Sequence, residues 1–495
     1  MLALLLIWSH AHGRVLDGGD GMYGSADELQ YMSWIRDEGR HLLAANLFDT
    51  VPDARIFAHP MFLFSGALTR IGLPASAAYL AWLPVAVASM WVGFIAYSRR
   101  FLSTRQAVLV AGFGLFYMTP VFPLMEWLNV GGAVNRGGVL VMALETFSAN
   151  FLWGNFPTAI SLGLFPLLLL WIERLILDKA PSQRLWPAAT IGALVMAWLH
   201  PWQALVLGIL VVSGLGWEIA VNPNSRPELL RATARLVPVG IGLAAPVAYY
   251  ALLPSWSAAW ARSAGPNSFH HLGLWLIALA PLAVLAAPGY LGRPATLGDR
   301  FLRLWPAAVV VAYFLLRRSF FYHVFEGTSL PLAVLAMRGA ARLRLAPLAL
   351  AAGALLVVPG LLFAIVTLDA NARKGADFYI ETDDYQALNY LREDAAPGAV
   401  LARYNDGKDV PAVSGRSTWV GNYEWTPDFL NRVARADRLV AGRMTPEAAA
   451  KFVADSGASF LLLGCADSKS LRTTLASRIE AEHDFGCAAV LRLRP

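Results

Sequence analysis

Charge is scarce in this chain and cysteine nearly absent. Only 15% of its 495 residues are Asp, Glu, Lys or Arg, while 57% are hydrophobic. A soluble domain carries about a quarter charged residues, so an ordinary soluble globular protein is excluded. Gly-x-Gly phosphate fingerprints are missing, as is a P-loop Gly-Lys-Ser/Thr. This argues against nucleotide-driven transport and against a nucleotide-sugar Rossmann enzyme. No clustered Cys/His zinc pattern, internal repeat or low-complexity tract is present. The formal charge of +6 does not indicate nucleic acid, because arginine is concentrated in short loops between apolar runs, as insertion topology and anionic lipid select.

Those runs are roughly 77–97, 107–122, 158–172, 187–199, 203–219, 236–253, 272–290, 304–316, 328–337 and 346–368. Several are shorter than the ~20 residues of a perpendicular span, so their ends extend into the flanking loops. Five connecting loops are basic: Arg99, Arg100, Arg105; Arg174, Lys179, Arg184; Arg226, Arg231, Arg235; Arg293, Arg300, Arg303; and Arg338, Arg342, Arg344. The alternate loops hold no Lys or Arg in His200–Gln203, only Arg262 in 254–271 and only Arg136 in 121–157. By the positive-inside rule the basic loops are cytoplasmic, and loop 14–70 and the tail from Asp369 lie outside. "MLALLLIWSHAHGRVL" is apolar for eight residues before His10, His12 and Arg14. Sixteen helical residues reach ~24 Å against a ~30 Å hydrocarbon core. With no basic n-region it reads as the remainder of a first membrane helix, not a signal peptide, and the span count becomes about eleven. Segment 121–157, with Gly131, Gly132, Gly137, Gly138 and Pro157, reads as a re-entrant or interfacial pair of short helices, because irregular backbone at membrane depth needs cover. The expected fold is a mainly α-helical polytopic membrane domain, 1–368, followed by an extracytoplasmic α/β domain, 369–495.

In the tail, "TDDYQALNYLRED" reads as a helix and "PGAVLARY" as a turn and strand. "TPEAAAKFVADSG" is a helix with Thr445 as N-cap, Pro446 at its first position and Gly457 as stop. "SFLLLGC" is a buried strand, "DSKSLRTTLASRIEAE" a helix and "CAAVLRLR" a last strand. Cys465 and Cys487 both lie here. Either they form a disulfide, which an oxidising compartment allows, or they are two small buried hydrophobes.

"SADELQYMSWIRDEG", Ser25 to Gly39, concentrates acid after the first apolar segment. Ser25-x-x-Glu28 is a capping box, and Asp27 suits a helix N-terminus. Leu29, Met32, Ile35, Leu42 and Leu43 form a stripe that would lay the helix on a membrane surface. The other reading of Asp27 and Glu28 uses the same place. A carboxylate beside the membrane, reachable by a lipid head group, can act as general base or hold a divalent cation against a lipid phosphate.

Asp27-Glu28-Leu29-Gln30-Tyr31, as Asp-Glu-x-x-Tyr in the first external loop of a many-spanned chain, resembles the GT-C superfamily of integral-membrane glycosyltransferases, which includes aminoarabinose and protein mannosyl transferases. The long first external loop, the span number and the external α/β tail share that layout. "VPAVSGRSTWVGN", Val410 to Asn422, resembles a segment of bacterial members. The resemblance implies transfer of a sugar from a polyprenyl-phosphate donor to an extracytoplasmic acceptor at the plasma membrane, with inversion, and Asp27 as the catalytic residue. A second acidic residue from a later external loop would assist, with Glu126 and Glu145 as candidates although no motif aligns them.

"RRSFFYHVFEGTSLP" carries Arg317, Arg318, His323 and Glu326. Arginine forks suit a lipid phosphate, with His323 beside them and Glu326 assisting; the arginines could instead be snorkelling anchors in an aromatic belt, but His323 and Glu326 in the same short loop favour the phosphate role. His59-Pro60 and His200-Pro201-Trp202 are external turns whose imidazoles could bind metal or carry a proton, or simply complete a turn. Trp34 and Trp202 could stack on a sugar ring or merely mark the interface. Arg416, in "SGRSTWVG", could face the acceptor, or its segment could dock the tail. A divalent cation is the one cofactor these groups suggest. The partners are a polyprenyl-phosphate-linked sugar, an external acceptor and the bilayer. The rival functions are a transporter or flippase of lipid-linked saccharides and an inactive GT-C-like scaffold.

Overall fold

In the computed structural model the described residues are 11–12, 14–16, 26–179, 181–222, 226–264, 272–316, 321–373, 379–468 and 470–494. Helices dominate. Along the chain they are α1 (Ala26–His41), α2 (Pro60–Arg70), α3 (Ala75–Leu80), α4 (Leu83–Arg99), α5 (Thr104–Phe116), α6 (Val121–Leu128), α7 (Gly132–Thr146), α8 (Phe156–Leu177), α9 (Leu185–Leu199) and α10 (Pro201–Val221). Then come α11 (Arg226–Thr233), α12 (Val237–Trp256), α13 (Ala258–Ser263), α14 (Leu272–Ala286), α15 (Leu297–Leu315), α16 (Ser329–Arg342) and α17 (Ala346–Arg373). Every apolar run falls on a helix. Six helices are long and apolar enough to cross a membrane by themselves, and the pair α5 and α6, bent by 46°, makes a seventh. Among the described residues that is fewer than the expected eleven, because α9, α15 and α16 are short or carry charge. The chain is a multi-pass helical membrane protein. Most of the expected first span lies outside the described residues, and its last part is not helical. Arg14–Leu16 is strand β1, antiparallel to β2 (Tyr379–Glu381).

The described residues fall into two compact units, whereas the sequence division at 368/369 followed composition. One unit, Leu83–Ala251 with Ala264–Val366, is the helical bundle. Where α4 crosses α8, a Cβ on Gly93 would fall 2.0 Å from the Gly163 carbonyl oxygen, so only glycine permits this approach, as small residues do between apolar helices. Segment 121–157 contains α6 and α7, joined through Asn129 and Gly131 in left-handed conformation.

The five basic loops meet at one end of this bundle. Arg100 Nη2 lies 2.8 Å from Glu173 Oε1, which also accepts the Gly298 amide at 3.0 Å. Arg235 donates to the carbonyls of Leu175 and Asp178. Arg300 pairs with Glu218, and Arg338 with Asp299. These bonds link every basic loop to another. Buried cations need such partners.

The second unit joins the described residues up to Trp82, Leu252–Ser263 and those from Thr367 onward. The tail builds a sheet in the order β3-β4-β6-β5, from β3 (Ala399–Leu401), β4 (Ala458–Leu463), β5 (Ile479–Phe485) and β6 (Ala488–Leu493). β3 runs parallel to β4, and the other pairs are antiparallel. Alternation along β4 buries both faces. Leu461 and Leu463 pack with α19 (Phe429–Val440) and α20 (Pro446–Asp455), while Phe460 and Leu462 pack with α18 (Thr382–Glu393). Thr445 caps α20 as its sequence predicts. "DSKSLRTTLASRIEAE" departs from expectation, forming one helical turn, Leu471–Thr474, before β5 begins. Pairing with β6 through a turn at Gly486 (φ 65°) overrides its helix propensity. Cys465 and Cys487 form a disulfide with Cα atoms 4.7 Å apart.

Candidate functional site

Asp27 and Glu28 occupy the first turn of α1; Ser25, their expected capping partner, lies outside the described residues. Glu28 is buried and Asp27 half-buried. One turn on, burial first and then the charges of Asp27, Tyr79, Glu28 and Glu424 raise the Tyr31 phenol well above its ordinary value. The charges of three carboxylates, Asp27, Glu28 and Glu424, thus act on the Tyr31 phenol together with burial. Sequence reasoning missed Glu424, which is remote in the chain.

The Val410–Asn422 stretch is what brings it there. Gln30 Oε1 accepts from Asn422 Nδ2 at 3.2 Å, and Arg36 Nε donates to the Ala412 carbonyl at 2.7 Å. The Thr418 amide donates to the Leu47 carbonyl at 2.9 Å. The segment thus fastens the tail to α1 and the chain that follows it, the docking alternative. Arg416 is committed to this packing. It donates to the carbonyls of Asp394 and Ala396, both at 2.7 Å, and lies over the Phe460 ring.

The stripe expected to face lipid is core instead. Leu29, Met32 and Ile35 are buried, and only Leu42 and Leu43 are exposed. α2 covers α1, where Gly39 and Gly66 abut closely. Trp34 is buried in a cluster with Phe57, Trp260 and Trp425, so it supports α1 and offers no open face for a sugar. His59 stacks on Phe62 at 4.1 Å and is pushed down to about 3 by burial. It stays neutral and joins no group of metal-ligating side chains among the described residues. Its backbone amide donates to Glu38 Oε1 at 2.9 Å, and burial pushes the Glu38 carboxyl up to about 9.

In the bundle unit, the end of α10 away from Glu218 gathers a second group. From Pro201 to Glu218 the helix rises ~26 Å, close to the thickness of a hydrocarbon core. His200 precedes α10, His323 and Glu326 follow α15, and Glu145 ends α7. Glu326 is fully buried between His200 Nε2 at 2.8 Å and His323 Nδ1 at 2.6 Å. Glu145 Oε2 lies 3.4 Å from the same His323 nitrogen. Gln203 Nε2 donates to the carbonyls of His323 and Glu326, fixing that turn, and Trp202 covers His323 with ring centroids 4.9 Å apart. Burial alone would lower the His323 pKa, but Glu326 and Glu145 outweigh it and raise it. Burial would raise Glu326, yet the two imidazoles hold it below the usual carboxylate range.

Four sequence candidates, His200, His323, Glu326 and Glu145, are thus brought together with Trp202. Glu126 is not. It pairs with Arg136 at 2.9 Å, half-exposed. Arg317 and Arg318 lie outside the described residues. The ligand atoms of His200, His323 and Glu326 lie within 4.8 Å of one another, and two imidazoles with a carboxylate suit a divalent ion of the zinc or manganese kind.

No protein-family model and no curated protein sequence matches the chain. Solved structures do match in fold, and these are GT-C membrane glycosyltransferases. Archaeal oligosaccharyltransferase AglB from Archaeoglobus fulgidus, in complex with an inhibitory peptide and a dolichol-phosphate, aligns at TM-score 0.52 and 13% identity, over 93% of this chain and 69% of that one. ArnT from Cupriavidus metallidurans, bound to undecaprenyl phosphate, aligns at TM-score 0.53 and 11% identity, over 99% and 96%. Arabinofuranosyltransferase AftD from Mycobacteria aligns at TM-score 0.50 and 15% identity, covering 95% of this chain but 37% of the larger protein. The expected likeness is therefore borne out in the fold.

Proposed function

We propose that this protein is a membrane glycosyltransferase that moves a sugar from a polyprenyl-phosphate donor to an acceptor on the extracytoplasmic side, where the tail domain also lies. The observation that carries the reading is the acidic first turn of α1, where Asp27 and Glu28 sit and the charge of Glu424 also acts on Tyr31, on a fold shared with enzymes whose structures hold undecaprenyl phosphate or dolichol-phosphate. A half-buried carboxylate can take the proton of an acceptor hydroxyl as that oxygen attacks the anomeric carbon. The bond to the donor phosphate breaks from the opposite face, so the configuration inverts. Glu28, buried beside Asp27, keeps the local field negative and favours proton uptake. Glu145, His200, His323 and Glu326 form a second polar centre, in the bundle unit. A divalent cation fits His200, His323 and Glu326 within the bundle unit and would there supply positive charge. Binding it would displace the proton that the carboxylates hold on His323.

The test is transfer of label from radiolabelled polyprenyl-phosphate hexose to a cell-envelope acceptor fraction, in membranes containing the wild type or Asp27→Asn. Loss of about 10²–10⁴-fold is expected. Equal transfer by both would return Asp27 to helix capping. Binding or flipping of the donor without transfer would favour a transporter.

A further inference from the structure

A cavity of about 480 Å³ opens in the tail-containing unit, between the C-terminal half of α1, the end of α2 and the tail. Four arginines line it, Arg36, Arg40, Arg70 and Arg392, and no carboxylate of the described residues does. Arg36 donates through Nε to the Ala412 carbonyl at 2.7 Å, and Arg70 through Nε to the Gly39 carbonyl. Both guanidinium groups are therefore held in place by backbone, and neither meets a carboxylate among the described residues. The nearby acids are engaged elsewhere. Asp37 accepts from the Ala45 amide and pairs with His41 and Arg55, and Glu38 faces the His59 amide. Only Arg392 touches an acid, the exposed Glu393 at 3.1 Å. Burial, then Arg392 and Arg40, press the Arg36 pKa down to about 10. The like charges are thus close enough to repel. The bundle unit is different, since Arg100, Arg300 and Arg338 each have a carboxylate partner.

We propose that the Arg36–Arg40–Arg70–Arg392 cavity binds the phosphate of an anionic membrane lipid. Clustered guanidinium forks without a carboxylate are the arrangement that recognises a phosphate oxyanion. The wall of the cavity places it at the bilayer surface. Gly72, Leu73, Pro74, Ala75 and Ser76 form that wall, and Ala75 begins a candidate span. Ile71 beside it is 75% exposed. This is not the phosphate of a reacting donor. Arg36 is nine residues beyond Asp27, ~13 Å along the helix, and Arg40 ~20 Å, whereas a donor phosphate is directly bonded to the reacting sugar. The inference therefore stands or falls independently of the catalytic role of Asp27.

The experiment uses the full-length protein in neutral detergent. Binding is measured to mixed micelles containing phosphatidylglycerol, to micelles containing phosphatidylcholine, and to inorganic phosphate, with wild type and with Arg40→Gln/Arg392→Gln. Both substituted side chains are exposed, so folding should persist, and thermal melting checks it. The Arg40→Lys/Arg392→Lys form is the fallback if it does not. The expected result is at least tenfold preference of the wild type for phosphatidylglycerol over phosphatidylcholine, reduced at least fivefold in the Gln variant. Binding of inorganic phosphate that the variant loses, without preference between the lipids, keeps the phosphate site but overturns its lipid source. Equal binding of every probe by wild type and a folded variant overturns the proposal.

Discussion

The carboxylates at the start of α1 and the carboxylate of Glu326 are the same chemical group in opposite company. Around Tyr31, Asp27, Glu28 and Glu424 add to one another's negative charge. Glu326 instead sits between two imidazoles that neutralise it. At Glu326 the neighbouring imidazoles outweigh burial, whereas at Tyr31 burial and the acidic neighbours push the same way. The first group presents negative charge to what approaches it. The second stabilises a buried structure until something with stronger claims on the imidazoles replaces the proton.

The largest effect expected from breaking this contrast is at Glu326. Glu326→Gln leaves His323 buried with Glu145 alone and His200 without its acid, and should cost about 3–5 kcal/mol, read as a fall in melting temperature in detergent. A similar melting temperature would show that water already screens this cluster. Removing the disulfide by Cys465→Ser/Cys487→Ser, which closes a loop with a sequence separation of 22, should cost about 3 kcal/mol. That loss should appear under reducing conditions in the wild type as well, and a variant insensitive to both would remove the disulfide from the stability of the tail.

A pH series sharpens the comparison within the tail. Burial, then Asp406, pushes Asp467 up to about 7, and burial with Asp406 pushes Asp384 up to about 6. Both folded-state values exceed the ordinary aspartate value of about 3.9. The folded state therefore holds these protons more tightly, and the stability they contribute is full below about pH 4 and declines as pH rises to about 7. Asp467→Asn should flatten the melting temperature between pH 5 and pH 8 relative to wild type, and an unchanged slope would exclude Asp467 as its source. The smallest effect belongs to Glu126→Gln. Its half-exposed pair with Arg136 is worth about 1 kcal/mol or less, and transfer activity should change less than about twofold. A large loss of transfer would restore Glu126 as the assisting acid in place of Glu145.

Much of the membrane part was legible because hydropathy and loop charge are local properties. Each apolar run became a helix, and the arginine-rich loops converged at one end of the bundle. The Thr445 cap and the β4 alternation were readable for the same reason. The turn at Gly486 was not, since β5 is a strand only because β6 lies beside it. Among the site residues, Asp27 stood out by its acidic neighbour and His200 by its turn. Their companions did not. The charge of Glu424 acts on Tyr31 across a chain separation of nearly four hundred residues, and Arg416, which has the right type for an anion, is held by carbonyls of its own domain.

The sequence by itself determined that this chain is a multi-spanning helical membrane protein with an α/β tail, because apolar length and charge distribution act over a few residues and do not depend on partners. Only the tertiary structure decided which of its many acids, imidazoles and guanidinium groups would meet. It joined Glu326 to His200 and His323, set Glu126 apart with Arg136, and gathered four arginines around one cavity. The reason is physical. A charged side chain takes its chemistry from groups within a few ångströms, and those groups come from distant parts of the chain.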